Sequence, residues 1–218
     1  MITVQRRRPP ASGPASLLLL NGSSSPIVDT SAYGWTVTAS GSPPPSVSAS
    51  GEFAPSIDFS NTLGSYLTVP SDPLFAFGTG DFTVEALLRQ RTFNGFSTLI
   101  EIGNHLASTG IIFIAGTGGA VIYSGAFFGT GAVSLDTINH IAYVRQSGVL
   151  SIYVNGPRTS SVSFTNDLTA TGPITIGSSN PASGAGYNSN YRMDGNMRLR
   201  VTRSALYSGA SLTVPTAF

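Results

Sequence analysis

The side chains with chemistry to offer in this 218-residue chain are ten carboxylates, two histidines, eight tyrosines and one tryptophan, for it contains no cysteine and no lysine. Cleaving a glycosidic bond takes two carboxyl groups about 5–5.5 Å apart in a retaining mechanism, or roughly 6.5–9.5 Å apart in an inverting one. The acids are Asp29, Glu52, Asp58, Asp72, Asp81, Glu85, Glu101, Asp136, Asp167 and Asp194. They are scattered, and Glu85, on an alternating strand, has no acidic neighbour two residues to either side. The histidines form neither His-x-His nor His-x-x-x-His, which speaks against zinc. His140 opens an alternating strand and is expected to be a hydrogen-bonded structural residue; His105 is placed in a polar loop after Glu101. A Ser–His–Asp triad would need a strand–Ser–helix elbow, and no Gly-x-Ser-x-Gly is present. Thiol chemistry and cysteinyl metal sites are excluded outright.

Three further groups carry candidate binding chemistry. Asp194, in Met193-Asp194-Gly195-Asn196, offers carboxylate oxygens beside a glycine that frees carbonyls, as a loop-end calcium site does; an Asp-Gly turn cap has the same sequence. The loop Ser178–Asn190 is small, polar and long enough to be a contact surface. Tyr187, Asn188, Asn190 and the flanking Tyr191 make it a candidate for stacking on a sugar or anchoring a protein. Arg6, Arg7 and Arg8 run into Pro9 and Pro10, which reads as an extended arm suited to docking on a partner subunit. The formal net charge of +1 gives no reason for the whole chain to seek nucleic acid or an acidic membrane. Without lysine there is no Gly-x-x-x-x-Gly-Lys loop, and Gly116-Thr117-Gly118-Gly119 precedes a strand rather than a helix.

The elements that must position these groups are strands. Charged residues are 10% of the chain, well under the usual quarter, and 25 Gly and 14 Pro disfavour helices. Phe82, Val84, Ala86 and Leu88 alternate with Thr83 and Glu85, which predicts a strand half facing a core. Ile138–Gly156 holds two more, joined at Gln146-Ser147-Gly148 as a hairpin. Further strands are expected at Ser16–Asn21, Tyr33–Ala39, Ile57–Phe59, Tyr66–Val69, Ser97–Ile102, Gly110–Ala115, Ala120–Ser124, Ile174–Gly177 and Met197–Thr202, with Ser40–Ser50 a surface loop. Asp72–Phe75 is expected to make one helical turn. Tyr33 and Trp35 share a face, with Trp35 filling the core. Many short strands with Gly, Pro, Ser and Asn between them predict a single all-β sandwich over residues 16–218 behind an arm at 1–15. Leu17–Leu20 is too short for a signal core, and no run is long enough to span a membrane.

The ordered set SLLLLNG, IDFSNTLGSYLTVPSD, GTGDFTVEALLR, INHIAYVR, LSIYVNG, ITIG and YRMDGNMRLRVTRSALYSG resembles the concanavalin A-like lectin/glucanase superfamily, specifically its laminin-G-like members. The resemblance implies a jelly-roll β-sandwich of two antiparallel sheets. It also sharpens the reading of the acids, because glucanases of the superfamily carry Glu-x-Asp-x-x-Glu on one strand and this chain does not. SLLLLNG and RVTRSALYSG resemble the variant found in tailed-phage structural proteins. That resemblance implies a non-enzymatic virion protein on the particle exterior. A head decoration or cement protein is expected, homo-oligomeric and docked on other capsid or tail subunits through Arg6–Pro10. The alternative is a carbohydrate-binding tail-fibre or adhesin module holding the particle to a host-surface glycan; a glycoside hydrolase comes third. No cofactor is expected, with calcium at Asp194 the one candidate.

Overall fold

The computed structural model describes residues 15–180 and 191–218. The arm residues Arg6–Pro10 and the loop residues Tyr187, Asn188 and Asn190 lie outside that range. The described residues form two antiparallel sheets. Sheet I contains β1 (Ser16–Leu20), β3 (Ser46–Ser48), β4 (Ser56–Ser60), β6 (Phe82–Gln90), β11 (Asn139–Gln146), β12 (Val149–Val154), β13 (Arg158–Ser163) and β15 (Asp194–Thr202). Its spatial order is β13-β12-β11-β6-β15-β4-β3, with β1 pairing the far end of β15. Sheet II contains β2 (Thr38–Ser40), β5 (Tyr66–Val69), β7 (Thr98–Ile102), β8 (Ile111–Gly116), β9 (Gly119–Tyr123), β10 (Phe127–Phe128) and β14 (Ile174–Ile176), in the order β10-β9-β8-β7-β14-β5-β2. Asp72 caps a single 3₁₀ turn at Pro73–Phe75 by accepting from the Leu74 amide. Among the described residues no helix is long and apolar enough to cross a membrane.

Alternation assigns the faces. Phe82, Val84, Ala86 and Leu88 of β6, Ile141 and Tyr143 of β11, and Met197, Leu199 and Val201 of β15 point into the sandwich. Ile100, Ile102, Ile111, Phe113, Ile122, Ile174 and Ile176 meet them from sheet II. Each such side chain contributes about 1.5–3 kcal/mol on burial. Two hydrogen bonds cross between the sheets and fix where β8 lies. The Tyr143 hydroxyl donates to the Ile114 carbonyl, and Gln90 Nε2 donates to the Ala115 carbonyl at 2.7 Å. Arg145 is wholly buried at one rim, donating to the carbonyls of Gly80, Gly78 and Asn166 and lying over the Phe82 and Phe164 rings. Burial pulls its guanidinium down to about 10, against the charges of Asp81 and Asp167.

The expected β11–β12 hairpin turns on Ser147 and Gly148, both at positive φ (50° and 77°), as a two-residue turn matched to strand twist requires. Tyr33–Ala39 is different: only Thr38–Ser40 is strand. The Asp29 carboxylate accepts from the backbone N–H groups of Leu19, Ser31 and Trp35 at 2.9 Å each. Trp35 N–H is therefore satisfied by a side chain and needs no ladder. Trp35 itself is half-buried against the core, stacked on Tyr33 at 5.7 Å, with its indole N–H donating to the Leu17 carbonyl. The expected loop at Ser40–Ser50 contains β3, because Val47 packs inward.

Candidate functional site

One row of directly paired residues crosses the outer face of sheet II: Thr38, Thr68, Thr175, Glu101, Ile112, Tyr123 and Phe127. Its β2 end is hydroxylated; its β10 end is aromatic. β8 reads IIFIAG because it is buried on both faces: Ile111, Phe113 and Ala115 join the core, while Ile112 and Ile114 face outward. Outward isoleucines in a fully buried strand need a cover, and the cover is aromatic.

Phe96, His105, Tyr123, Phe127 and Tyr191 form a closed circuit of rings over Ile112 and Ile114. Successive centroids are 5.7 Å (Phe96–Phe127), 4.8 Å (Phe127–Tyr123), 5.5 Å (Tyr123–His105), 5.6 Å (His105–Tyr191) and 5.2 Å (Tyr191–Phe96) apart. They line a shallow open hollow of about 170 Å³, room for a single small ring rather than a whole drug-sized ligand, with Leu106 at its rim. Phe127 stands 55% exposed on the short edge strand β10.

Each ring has its own support. Phe96 sits in the β6–β7 connection, whose Gly95 and Ser97 carbonyls accept from Thr117 and Ala115 at the end of β8. This approach is so close that a Cβ on Gly116 would lie 1.9 Å from the Gly95 oxygen. Tyr191 is held by its carbonyl, which accepts from the Thr98 amide at 3.0 Å. His105, in the β7–β8 connection, is 1% exposed, and its carbonyl accepts from Gly125 in the β9–β10 turn. His105 does lie in the polar loop after Glu101, as expected, but its ring is buried because it folds back onto Glu101.

Below the rings, Glu101 is wholly buried. Its Oε1 accepts from His105 Nδ1 at 2.6 Å and from the His105 amide at 3.3 Å; its Oε2 accepts from the Asn180 amide at 2.5 Å. In the neutral imidazole this fixes the proton on Nδ1 and leaves Nε2 with a lone pair. Nε2 has no hydrogen-bond partner among the described residues, and neither do the hydroxyls of Tyr123 and Tyr191. Burial pushes the Tyr191 phenol up, and the charge of Glu101 and the neighbouring Tyr123 push it further. Among the described residues the hollow thus presents aromatic surface with three polar handles and neither Arg nor Lys in its lining.

The other sequence candidates are engaged in structure. Asp194 does not cap a turn; it begins β15. Its Oδ1 accepts from Arg91 Nε at 2.8 Å and its Oδ2 from Thr92 Oγ1 at 2.7 Å. Asp58 takes the other side of the same guanidinium at 2.8 Å. Burial pulls Arg91 down, but the two carboxylates outweigh it and hold its pKa above the usual value. Calcium does not fit there, since both Asp194 oxygens are committed to protein donors. Among the described residues no three acids and histidines gather in metal-binding geometry. His140 is the hydrogen-bonded structural residue expected, with Nε2 at 3.0 Å from Glu85 Oε2. Glu85 also accepts from Arg200 and from the Tyr207 hydroxyl. Of the four residues expected to make a contact surface around Ser178–Asn190, Tyr191 is described, and it lies in the hollow.

The chain belongs to the concanavalin A-like lectin/glucanases superfamily, whose laminin-G family model matches residues 60–206. Similar solved structures share this jelly roll. One is domain 4 of a GH43 extracellular arabinanase from Geobacillus stearothermophilus, in complex with arabinotriose (TM-score 0.62, 15% identity, 80% of this chain and 84% of that one). A second belongs to botulinum neurotoxin type C, whose cell entry depends on interaction with two ganglioside molecules (TM-score 0.61, 14% identity, 88% and 49%). A third is the binding domain of Paraclostridial Mosquitocidal Protein 1 (TM-score 0.58, 15% identity, 88% and 50%). The chain spans about half the length of the two toxin structures. No curated protein matches it in sequence.

Proposed function

We propose that the protein is a non-catalytic carbohydrate-binding module that takes a sugar into the aromatic hollow of sheet II and serves on the exterior of a phage particle. The observation that carries the sugar reading is the circuit of Phe96, His105, Tyr123, Phe127 and Tyr191 with its unpartnered Nε2 and two phenol hydroxyls. A sugar offers flat C–H faces that stack on aromatic rings and hydroxyls that need partners, and the hollow supplies both. The complex of a similar domain with arabinotriose, a neutral sugar, is in keeping with it.

A non-catalytic role is supported by the state of the acids. Glu85 and Glu101 lie on the outer faces of different sheets, each held by protein donors, and Arg91 lies between Asp58 and Asp194. A general acid must be free to carry a proton to the leaving oxygen, and none of these is. What supports the particle setting is the resemblance of SLLLLNG and RVTRSALYSG to tailed-phage structural proteins, with a surface carrying few charges. A head decoration role, with Arg6–Pro10 docked on neighbouring virion subunits, is the second reading, favoured by the Arg-Arg-Arg-Pro-Pro sequence.

The test is calorimetric titration with neutral oligosaccharides, arabinotriose among them, on the wild-type protein and on Phe127→Ala. The wild type binds; the variant binds roughly tenfold more weakly. Its stability falls by less than about 1 kcal/mol, because the ring is largely exposed. Failure to bind any neutral glycan, or equal binding by the variant, overturns the proposal.

A further inference from the structure

Resting on that sugar reading, we infer that the hollow selects neutral sugars and turns away acidic ones. The selection is written into its floor. Glu101 is a buried carboxylate under the rings, and both its oxygens accept from His105 and Asn180. Its charge is therefore felt in the hollow while its oxygens are occupied, so it repels an anion without offering a neutral ligand a strong bond in return. Burial is the first cause of the raised Tyr191 phenol pKa, and the charge of Glu101 adds to it.

Nothing in the lining compensates. Recognising a carboxylate in a partly dry site takes Arg, Lys or several converging N–H donors. Among the described residues the lining is Phe96, His105, Tyr123, Phe127 and Tyr191 with three aliphatics; none is Arg or Lys, and His105 is already paired with Glu101. The chain has no lysine, and residues 181–190, which lead into Tyr191, contain no charged residue in their sequence. The arginine next to Tyr191, Arg192, donates its Nε to Asn61, and Arg91 is held by Asp58 and Asp194. The unpartnered Nε2 of His105, in the tautomer that Glu101 imposes, accepts a hydrogen bond. A sugar hydroxyl can donate to it; an ionised carboxylate has no proton to give. The Tyr123 and Tyr191 hydroxyls supply the complementary donors for ring or hydroxyl oxygens.

The experiment compares α-1,4-linked galactotriose with trigalacturonic acid, which differ by a carboxylate in place of the C6 alcohol on each of the three sugars, in direct titrations at low salt and pH 8. Phe127→Ala is run alongside to show that the hollow is the site. The neutral trisaccharide binds, and the acidic one binds roughly tenfold more weakly or not at all. Glu101→Gln, which keeps an acceptor for His105 and removes the charge, narrows that gap. If the variant does not fold, raising the salt on the wild type narrows the gap through screening instead. Equal or tighter binding of the acidic trisaccharide, lost in Phe127→Ala, overturns the selectivity and leaves the sugar site standing. Binding of both that is indifferent to Phe127→Ala removes the site and this inference with it; binding of neither overturns this inference, and the site then rests on the arabinotriose titration.

Discussion

Each outer face of the sandwich carries a buried glutamate paired with a histidine, and the two pairs have opposite fates. On sheet I, Glu85 and His140 lie under the segment after β15. Tyr207 donates to Glu85, and Ala205, Tyr207 and Leu212 pack on Ala142, Val144 and Tyr153. Arg200 completes the ion cluster, and the second histidine nitrogen, Nδ1, is sealed without a partner. On sheet II, Glu101 and His105 lie under an open circuit of rings, and the spare nitrogen stands at the wall of a hollow. The same two side chains thus anchor a strap where Arg200 and Tyr207 join the cluster, and underlie a binding surface where backbone amides complete it. What separates structure from function here is the cover, not the pair.

The comparison breaks most visibly at Glu85. Glu85→Ala leaves His140, Arg200 and Tyr207 without their shared acceptor and is expected to cost about 3–5 kcal/mol in urea unfolding, with the sugar site unaffected in whatever fraction stays folded. The pH dependence sharpens it. Burial alone would raise the Glu85 pKa, but the hydrogen bond from His140 and the charge and hydrogen bond of Arg200 outweigh that, and it falls below its ordinary 4.5. The stability it supplies is full above that value and is lost as the pH falls through the depressed folded value; in Glu85→Gln that acid limb flattens. At the other end, burial and Glu85 raise Tyr207 to about 12, so its contribution holds below about pH 10 and is lost as the pH rises toward 12. Tyr207→Phe removes that alkaline limb and one hydrogen bond to a charged acceptor, costing about 1.5–3 kcal/mol. Faster amide exchange confined to the segment after β15 would mark the loss as local.

Most of the sandwich was legible in the sequence because its strands are half-buried, and half-burial writes itself as alternation. The β6 and β11–β12 signals survive intact. β13 escaped because it is an edge strand of sequence RTSSVS, mostly exposed and without an apolar face to read. β10 escaped because two residues carry no period. Tyr33–Ala39 was over-read because alternation says nothing about who takes the backbone N–H, and Asp29 took it. The hollow was barely legible: its rings come from positions 96, 105, 123, 127 and 191, which only the folded sheet brings together. One signal was available. An unbroken apolar run such as Ile111–Ala115 must be covered on both sides, and the second cover had no owner in the sequence.

The position of β15 has a consequence for how the chain is made. It is the last strand described, yet it lies between β6 on one side and β4 and β1, end to end, on the other. Until Asp194–Thr202 has left the ribosome, three earlier strands lack their shared neighbour, and the facing edges of β4 and β6 have no ladder partner. Folding of the sandwich therefore waits on the synthesis of β15, and a nascent chain arrested before Asp194 is expected to be a chaperone client rather than a partly finished domain.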